Sequence, residues 1–294
     1  MQKIVVSIII VHYKDKRRLF DCVLSIKQNK PKVSFEVIVV DNDEKATIRK
    51  TLKAKFKWAK YIRSPGNIGY GAGNNLGAKY AKGRYLFILN PDTKIILGSI
   101  DKLINFLEKN KRAGLVAPNL VDEKGKIFPQ LGSKKLTPLR GIVALSFLNK
   151  LFPNNPISKK YWLTDVPMNK KRQVDVVPGS AFLIRRQVFE KAKGFDENFF
   201  LYFEESDFCK RVKELGFSIY IIPNAQILHF WKPGKPDTKK AKIIFAQSRF
   251  YYFRKHYGIA SALIVEMFAR FSKWHALLFA IVFIGVFSRL LGLQ

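Results

Sequence analysis

The chain has 294 residues, 48% of them hydrophobic, and carries 53 Lys and Arg against 22 Asp and Glu, a formal net charge of +31. That apolar content excludes a disordered chain, and the length suffices for one large domain or one and a half. Cys22 and Cys209 fit neither a disulfide framework nor zinc-ligand spacing and point to a reducing compartment. The excess of positive charge points to a nucleic acid, an anionic membrane surface or a phosphorylated substrate, or to no more than a lysine-rich composition.

In chain order, residues 4–11 are apolar throughout and read as a first strand buried on both faces. No small-residue cleavage site follows them; a basic run from His12 to Arg18 does, so the start does not read as a signal peptide. Leu19, Val23 and Ile26 recur at helical spacing and predict a helix over 15–28, followed by a strand over 35–40 that ends in Asp41-Asn42-Asp43. A very basic helix or loop covers 44–57, a short strand 58–63 and a glycine-rich helix 69–81. The run Tyr85-Leu86-Phe87-Ile88-Leu89 predicts a buried strand stopped by Asn90-Pro91-Asp92-Thr93, since Pro91 has no N–H for the ladder. A helix over 95–110 and a strand over 113–117 come next. This alternation implies an α/β fold with a mostly parallel sheet covered by helices on both faces.

The pattern loosens over 119–172, where scattered prolines suggest an irregular insertion with a short apolar helix near 139–151. Two short strands are expected over 174–185, around Pro178-Gly179-Ser180. A helix over 204–215 is closed by Gly216 as a left-handed cap. Two strands over 217–222 and 225–230 follow, then a Pro- and Gly-containing loop and a basic helix to about 255. The expected organisation is one catalytic domain over 1–256, split near 118, and an apolar tail over 257–294. The run from Ala276 to Phe287 is too short to span a bilayer comfortably, so it reads as an interfacial or re-entrant helix, or as a helix packed on the domain.

Asp41 and Asp92 both stand just past strand ends, where open α/β sheets bind ligands. One such carboxylate can accept from a base N–H and the other can hold Mg2+ or Mn2+ against a pyrophosphate; Asn90-Pro91-Asp92-Thr93 can equally be turn chemistry. The segment Asn67 to Gly77 (NIGYGAGNNLG) lacks the spacing of a dinucleotide fingerprint and a Walker lysine, and its glycines serve close helix packing or approach to a nucleotide. Glu204, Glu205 and Asp207 beside an aromatic run suit a helix N-terminus or a general base of raised pKa. His229 is a structural histidine or a partner of Asp92 on a metal. Trp231 stacks on a sugar or covers the cleft.

Taken in order, the motifs at 7–13 (SIIIVHY), Val39 to Asn42, Asn67 to Gly77, Leu89 to Thr93, Pro178 to Arg185, Gly194 to Asp207 and Pro223 to His229 resemble the inverting glycosyltransferases of family 2, in particular the rhamnosyltransferase-like branch that builds bacterial cell-surface polysaccharides. The resemblance covers residues 4–256. It implies a GT-A fold with a Rossmann-like sheet and a metal-dependent transfer of a sugar, rhamnose from dTDP-rhamnose foremost, to a polyisoprenyl-linked saccharide at the cytoplasmic face of the inner membrane. The basic surface and apolar tail would then meet an anionic membrane surface, and no nucleic acid is implied. A UDP-sugar donor and a non-catalytic scaffold are the alternatives.

The same resemblance implies nucleotide-sugar contacts from Val11, Tyr13, Asp41, Asn67, Gly69, Gly73, Asn75, Asn90 and Asp92. It implies a metal on Asp92 and His229, acceptor contacts from Gly179, Ser180 and Trp231, and a base at Glu205 aided by Glu204. The chain departs from the family pattern in having Asn90 for the first Asp of the metal motif, Glu205 for the usual catalytic aspartate, and Asn74 where some members have arginine.

Overall fold

The structure, a computed structural model, describes residues 3–129, 131–230 and 238–270. Trp231, the loop 232–237 and the apolar run from Ala276 to Phe287 lie outside the described residues.

Seven consecutive buried residues make β1 (Val6–His12). Helix α1 (Lys16–Gln28) starts where the Asp15 side chain accepts from the Arg18 N–H at 3.1 Å and buries Leu19, Val23 and Ile26. Then come β2 (Phe35–Asp41), the short basic α2 (Arg49–Lys55), β3 (Ala59–Arg63), α3 (Tyr70–Tyr80) and β4 (Tyr85–Leu89). Strand β5 (Thr93–Ile95), helix α4 (Ser99–Lys109) and strand β6 (Ala113–Val121) complete this half. The expected helix over 95–110 is therefore shorter. Ile95 pairs with Ile227 in the sheet, and Gly98 at φ +75° turns the chain into α4.

The insertion carries three short helices, α5 (Pro138–Ala144), α6 (Leu148–Leu151) and α7 (Pro156–Trp162), rather than one. Strands β7 (Arg172–Val174) and β8 (Ala181–Arg185) and helices α8 (Arg186–Lys191) and α9 (Glu204–Glu214) lead to β9 (Ser218–His229). The two strands expected over 217–230 are one, because Pro223 is absorbed in a register irregularity against Pro118 and Asn119 of β6. Helix α10 (Lys239–Arg270) runs past the expected end near 255 and is broken at Gly258, whose φ is +83°.

Among the described residues nine strands form one sheet, in the order β3-β2-β1-β4-β8-β6-β9-β5, with β7 paired to β9. The mostly parallel core expected from the alternation is present: β3, β2, β1 and β4 are all parallel, and β6 runs parallel to β9. Strand β8 enters antiparallel between β4 and β6. Helix α3 lies close on this sheet because Gly77 has no Cβ, which would otherwise collide with Ile9 and meet Val40. Among the described residues no helix is long and apolar enough to cross a membrane.

By internal contacts the chain forms two compact units. The first takes the chain up to Lys135 together with Trp162–Ser248; the second takes Leu136–Tyr161 together with the chain from Arg249. The sheet and every site residue discussed next belong to the first.

Candidate active site

Strands β1, β2 and β4 end side by side, with His12 opposite Asp41 and Ile10 opposite Leu89. Such a row of parallel carboxyl ends is where an open α/β sheet takes its ligand. Two cavities open there. One, of about 510 Å3, is lined by Val11, Tyr13, Asn42, Asn67, Gly69 and Phe200, among others. The other, of about 440 Å3, is lined by Asn90, Asp92, Gly179, Ser180, Glu204, Glu205 and His229, among others. Tyr70 and Leu201 line both.

The second cavity draws its polar groups from four places in the chain. Pro91 ends β4, and the Asn90 N–H donates to Ser180 O at 2.8 Å, tying that turn to the start of β8. One step on, Thr93 lies opposite His229 in the pairing of β5 with β9, and the Phe230 N–H donates to Asp92 O at 2.9 Å. This register sets His229 Nε2 3.4 Å from Asp92 Oδ2. Asp92 Oδ1 and Asn90 Oδ1 are buried with no hydrogen-bond partner among the described residues. Unsatisfied buried acceptors are costly, so such oxygens mark a place shaped for a cation or donor. Among the described residues no group of three or more acidic, His or Cys side chains converges to hold a metal. Asp92 and His229 supply one oxygen and one imidazole nitrogen. Two protein donors fall short of a full coordination shell, so a divalent ion here would need further oxygens from a ligand.

Across the cavity, Tyr202 and Phe203 sit at φ +71° and +67°, in the left-handed region that side chains rarely adopt. Strain of this kind costs on the order of 1–3 kcal/mol per residue and gathers at functional sites. Here it is held by packing: Phe245 of α10 meets the Tyr202 ring edge-on and the Phe203 ring at a tilt, and the Ser248 hydroxyl donates to Leu201 O at 2.8 Å. The turn releases the chain into α9 with Glu204 and Glu205 in its first turn. Burial pushes both carboxyls above the usual glutamate range, and Glu204 is raised further by the charge of Glu205. Glu204 Oε2 has no hydrogen-bond partner among the described residues. A charge on either carboxyl opposes ionisation of the other, so the two titrate as a pair, both raised.

Three residues expected at the nucleotide lie elsewhere. Asp41 is fully buried and lines neither cavity; its Oδ2 accepts from the Tyr61 hydroxyl at 3.0 Å and its Oδ1 from the Asp43 N–H at 3.2 Å. Its neighbour Asn42 takes the place on the wall and donates to Gly69 O at 2.8 Å. Asn75, on the far face of α3, donates to Phe195 O and Glu197 Oε1, both at 2.9 Å, and accepts from the Phe195 N–H. Gly73 is a packing glycine: a Cβ there would come within 2.8 Å of Val11 Cγ1. Gly69, at φ +89°, starts α3, and any side chain there would strike the Phe200 carbonyl.

Sequence reasoning missed Tyr70, Asn42 and the wall formed by Thr238, Lys240 and Ala241 in the first cavity. Tyr70 and Asn42 stand inside motifs already singled out. The Thr238 wall has no local signal, since a chain return after β9 brings it there.

A model described as glycosyl transferase family 2 matches residues 7–192. The chain is 26% identical over 217 residues to the N-acetylglucosaminyl-diphospho-decaprenol L-rhamnosyltransferase of Mycobacterium tuberculosis (strain ATCC 25618 / H37Rv), covering 70% of this chain and 69% of that protein. It is 25% identical over 205 residues to rhamnosyltransferase WbbL of Escherichia coli (strain K12), covering 67% of this chain and 73% of that protein. Among solved structures, GalNAc-T7 with UDP, GalNAc and Mn2+ matches at a TM-score of 0.58 and 16% identity, which speaks for the fold alone. The match covers 87% of this chain and 51% of that one, so the chain spans about half the length of that solved structure.

Proposed function

The chain belongs to glycosyl transferase family 2 and is a rhamnosyltransferase-like glycosyltransferase, and from that premise we propose that it transfers rhamnose, from dTDP-rhamnose, with inversion, to a hydroxyl of a lipid-linked saccharide at the cytoplasmic leaflet. The observation that carries this reading is the single cavity in which the Asp92–His229 pair faces the Glu204–Glu205 pair. The first cavity, with Val11, Tyr13 and Asn42 on its wall, suits the base and ribose. Asn67 and Gly69 line the same cavity, and Tyr70 stands where the nucleoside end meets the sugar end.

In this reading Glu205 takes the proton from the acceptor hydroxyl as that oxygen attacks the anomeric carbon. The bond from that carbon to the diphosphate breaks on the opposite side, and the diphosphate leaves with its electron pair. Glu204, whose carboxyl is raised by burial and by the charge of Glu205, is in this reading the member of the pair that keeps its proton and can donate it in a hydrogen bond to a bound substrate. General-base assistance of this kind contributes about 10²–10⁴ in rate. Gly179 and Ser180 line the side open to the acceptor. A divalent ion held by Asp92 and His229 would supply positive charge against the departing diphosphate. The donor preference is supported by the rhamnosyltransferase names of the two relatives.

Mass spectrometry of products from a panel of dTDP- and UDP-sugars, with Mg2+ or Mn2+ and a polyprenyl-diphosphate-linked N-acetylglucosamine acceptor, tests the reading. We expect transfer from dTDP-rhamnose above the other donors. Transfer only from a UDP-sugar overturns the donor assignment. No transfer and no donor hydrolysis with any of them overturns the catalytic one.

A further inference from the structure

The cavity that holds the glutamate pair has an apolar wall that the proton and metal chemistry leaves unused. Leu120, Phe128, Pro129, Leu131 and Trp162 form it, and none of the five lines the first cavity. Past β6 the chain turns at Gly125, whose φ is +76°, and runs back on itself. Val121 bridges Ile127 there, and the Phe128 N–H donates to Leu120 O at 3.0 Å. The return sets the Phe128 ring edge-on to His229, with centroids 6.1 Å apart. Behind it the buried Arg172 donates to Leu131 O at 3.2 Å and to Asn119 Oδ1 at 3.0 Å, and Asn119 Nδ2 donates to Met168 O at 2.8 Å. A buried guanidinium thus fixes the backbone of an apolar wall. Trp162, the last residue of α7 and a member of the first unit, is partly exposed.

Charge decides what this wall can take. Asp92, Glu204 and Glu205 line the rest of the cavity, and among the described residues no lysine or arginine does. Three carboxyl groups repel any diphosphate that brings no cation of its own. In a lipid-linked acceptor the diphosphate joins the sugar to the lipid. A lipid chain seated on the wall would therefore draw that diphosphate in among the carboxyls. A pyranose ring meets both sides without such a conflict. Its C–H face packs on an aromatic ring, and its hydroxyls turn to Glu205 and Ser180. Since a donor reaching over from the first cavity enters past Tyr70, which lines both, the wall is left to the acceptor.

We propose that Trp162, backed by Phe128, is the platform on which the acceptor sugar stacks, and that the chain selects its acceptor by an uncharged pyranose ring while the lipid diphosphate stays outside the cavity. The inference rests on the transferase reading and names what that site takes as acceptor.

The test uses the full chain and methyl β-N-acetylglucosaminide, a sugar with neither lipid nor diphosphate. Saturation-transfer NMR without donor or added metal should show the ring C–H protons of this glycoside in contact with the protein. Farnesyl diphosphate, which has no sugar, should not displace it. Trp162→Ala should abolish the contact and raise the KM of a polyprenyl-diphosphate-linked acceptor about tenfold, with donor KM unchanged. Trp162→Leu keeps apolar bulk without a ring and should bind no better than Trp162→Ala, whereas Trp162→Phe should recover most of the binding. Full binding in Trp162→Leu makes the residue a packing one and overturns the stacking role. A rise in donor KM in place of acceptor KM gives the wall to the donor sugar, and displacement by farnesyl diphosphate gives it to the lipid anchor; either overturns the proposal. The glycoside spectra involve no transfer, so their failure is distinct from the absence of both transfer and donor hydrolysis that would overturn the transferase reading.

Discussion

The Tyr70 hydroxyl donates to the Gly179 carbonyl at 2.5 Å, joining the first residue of α3 to the loop that enters β8. One side chain thus ties the parallel half of the sheet to the antiparallel strand on its other side, and it lines both cavities. Burial, with the charges of Glu204 and Glu205, holds its phenol well above the usual range, so it stays a donor at any working pH. We expect Tyr70→Phe to cost about 1 kcal/mol, because it removes a hydrogen bond to a half-buried carbonyl. It should also lower kcat/KM more than the stability loss alone accounts for, by freeing the Gly179–Ser180 wall. Paired thermal melts and steady-state kinetics on the variant measure both.

With Glu205 as the proposed base, we expect stability and activity to move oppositely with pH. Both carboxyls titrate above the value of about 4.3 that an unfolded glutamate shows. Between that value and their folded values the native state holds more protons than the unfolded one, so stability falls as pH rises through the window. The base needs its charge, so kcat/KM rises over the same window. We expect Glu204→Gln to flatten the stability slope while keeping part of the turnover, since an amide can still donate. Glu205→Gln should remove turnover by about 10²–10⁴ and leave the fold intact. Denaturant melts and rate profiles from pH 5 to 8 separate the two roles.

The parts of the fold written in local pattern were legible before the structure. The buried run Tyr85–Leu89, the stop at Pro91 and the glycine cap at Gly216 all stand where their chemistry says they should. The resemblance already puts His229 with Asp92; what local pattern does not carry is the cause, the long-range register that pairs Thr93 with His229 across a strand that the sequence divides at Pro223. Likewise the strained turn at Tyr202 and Phe203 carries no Gly or Asn to announce it; Phe245, far along the chain, holds it. Candidate residues chosen by motif alone were mixed for the same reason: on α3, Gly69 faces the crevice while Asn75 points to the Phe195 loop.

Asn75 therefore separates a structural role from a ligand-binding one. Its amide donates to Phe195 O and Glu197 and accepts from the Phe195 N–H, an exchange that fixes the chain entering the aromatic run before α9. We expect Asn75→Ala to destabilise the fold by about 1–3 kcal/mol through the backbone groups it strands, with donor KM unchanged. A rise in donor KM without loss of stability would return Asn75 to the nucleotide site. Chemical denaturation beside donor titration gives the comparison.

Gly73 makes a complementary case, in which packing reaches the ligand indirectly. A methyl group at this position would press on Val11 Cγ1 at 2.8 Å and Cγ2 at 3.1 Å, and Val11 lines the first cavity. Overpacking of this kind costs about 1–3 kcal/mol. We expect Gly73→Ala to raise donor KM through displacement of Val11, with a smaller change in kcat, since the proposed base and metal ligands line the other cavity. A compensating Val11→Ala in the same chain should recover most of the stability, which melts of the single and double variants will show.

Asp92 and His229 define the last expectation. At 3.4 Å apart, with Asp92 half-exposed and His229 buried, the two present neighbouring donors from the turn before β5 and the end of β9. If they hold a divalent ion beside a diphosphate, affinity for a nucleoside diphosphate should depend on metal in the parent chain. We expect that dependence to vanish in Asp92→Ala and to weaken in His229→Ala, since loss of one oxygen ligand from a two-residue site leaves little to hold the ion. Isothermal titration of dTDP with and without Mg2+ or Mn2+ reads this without any turnover. Equal metal dependence in the Asp92 variant would place the ion elsewhere and leave Asp92 as turn chemistry after β4.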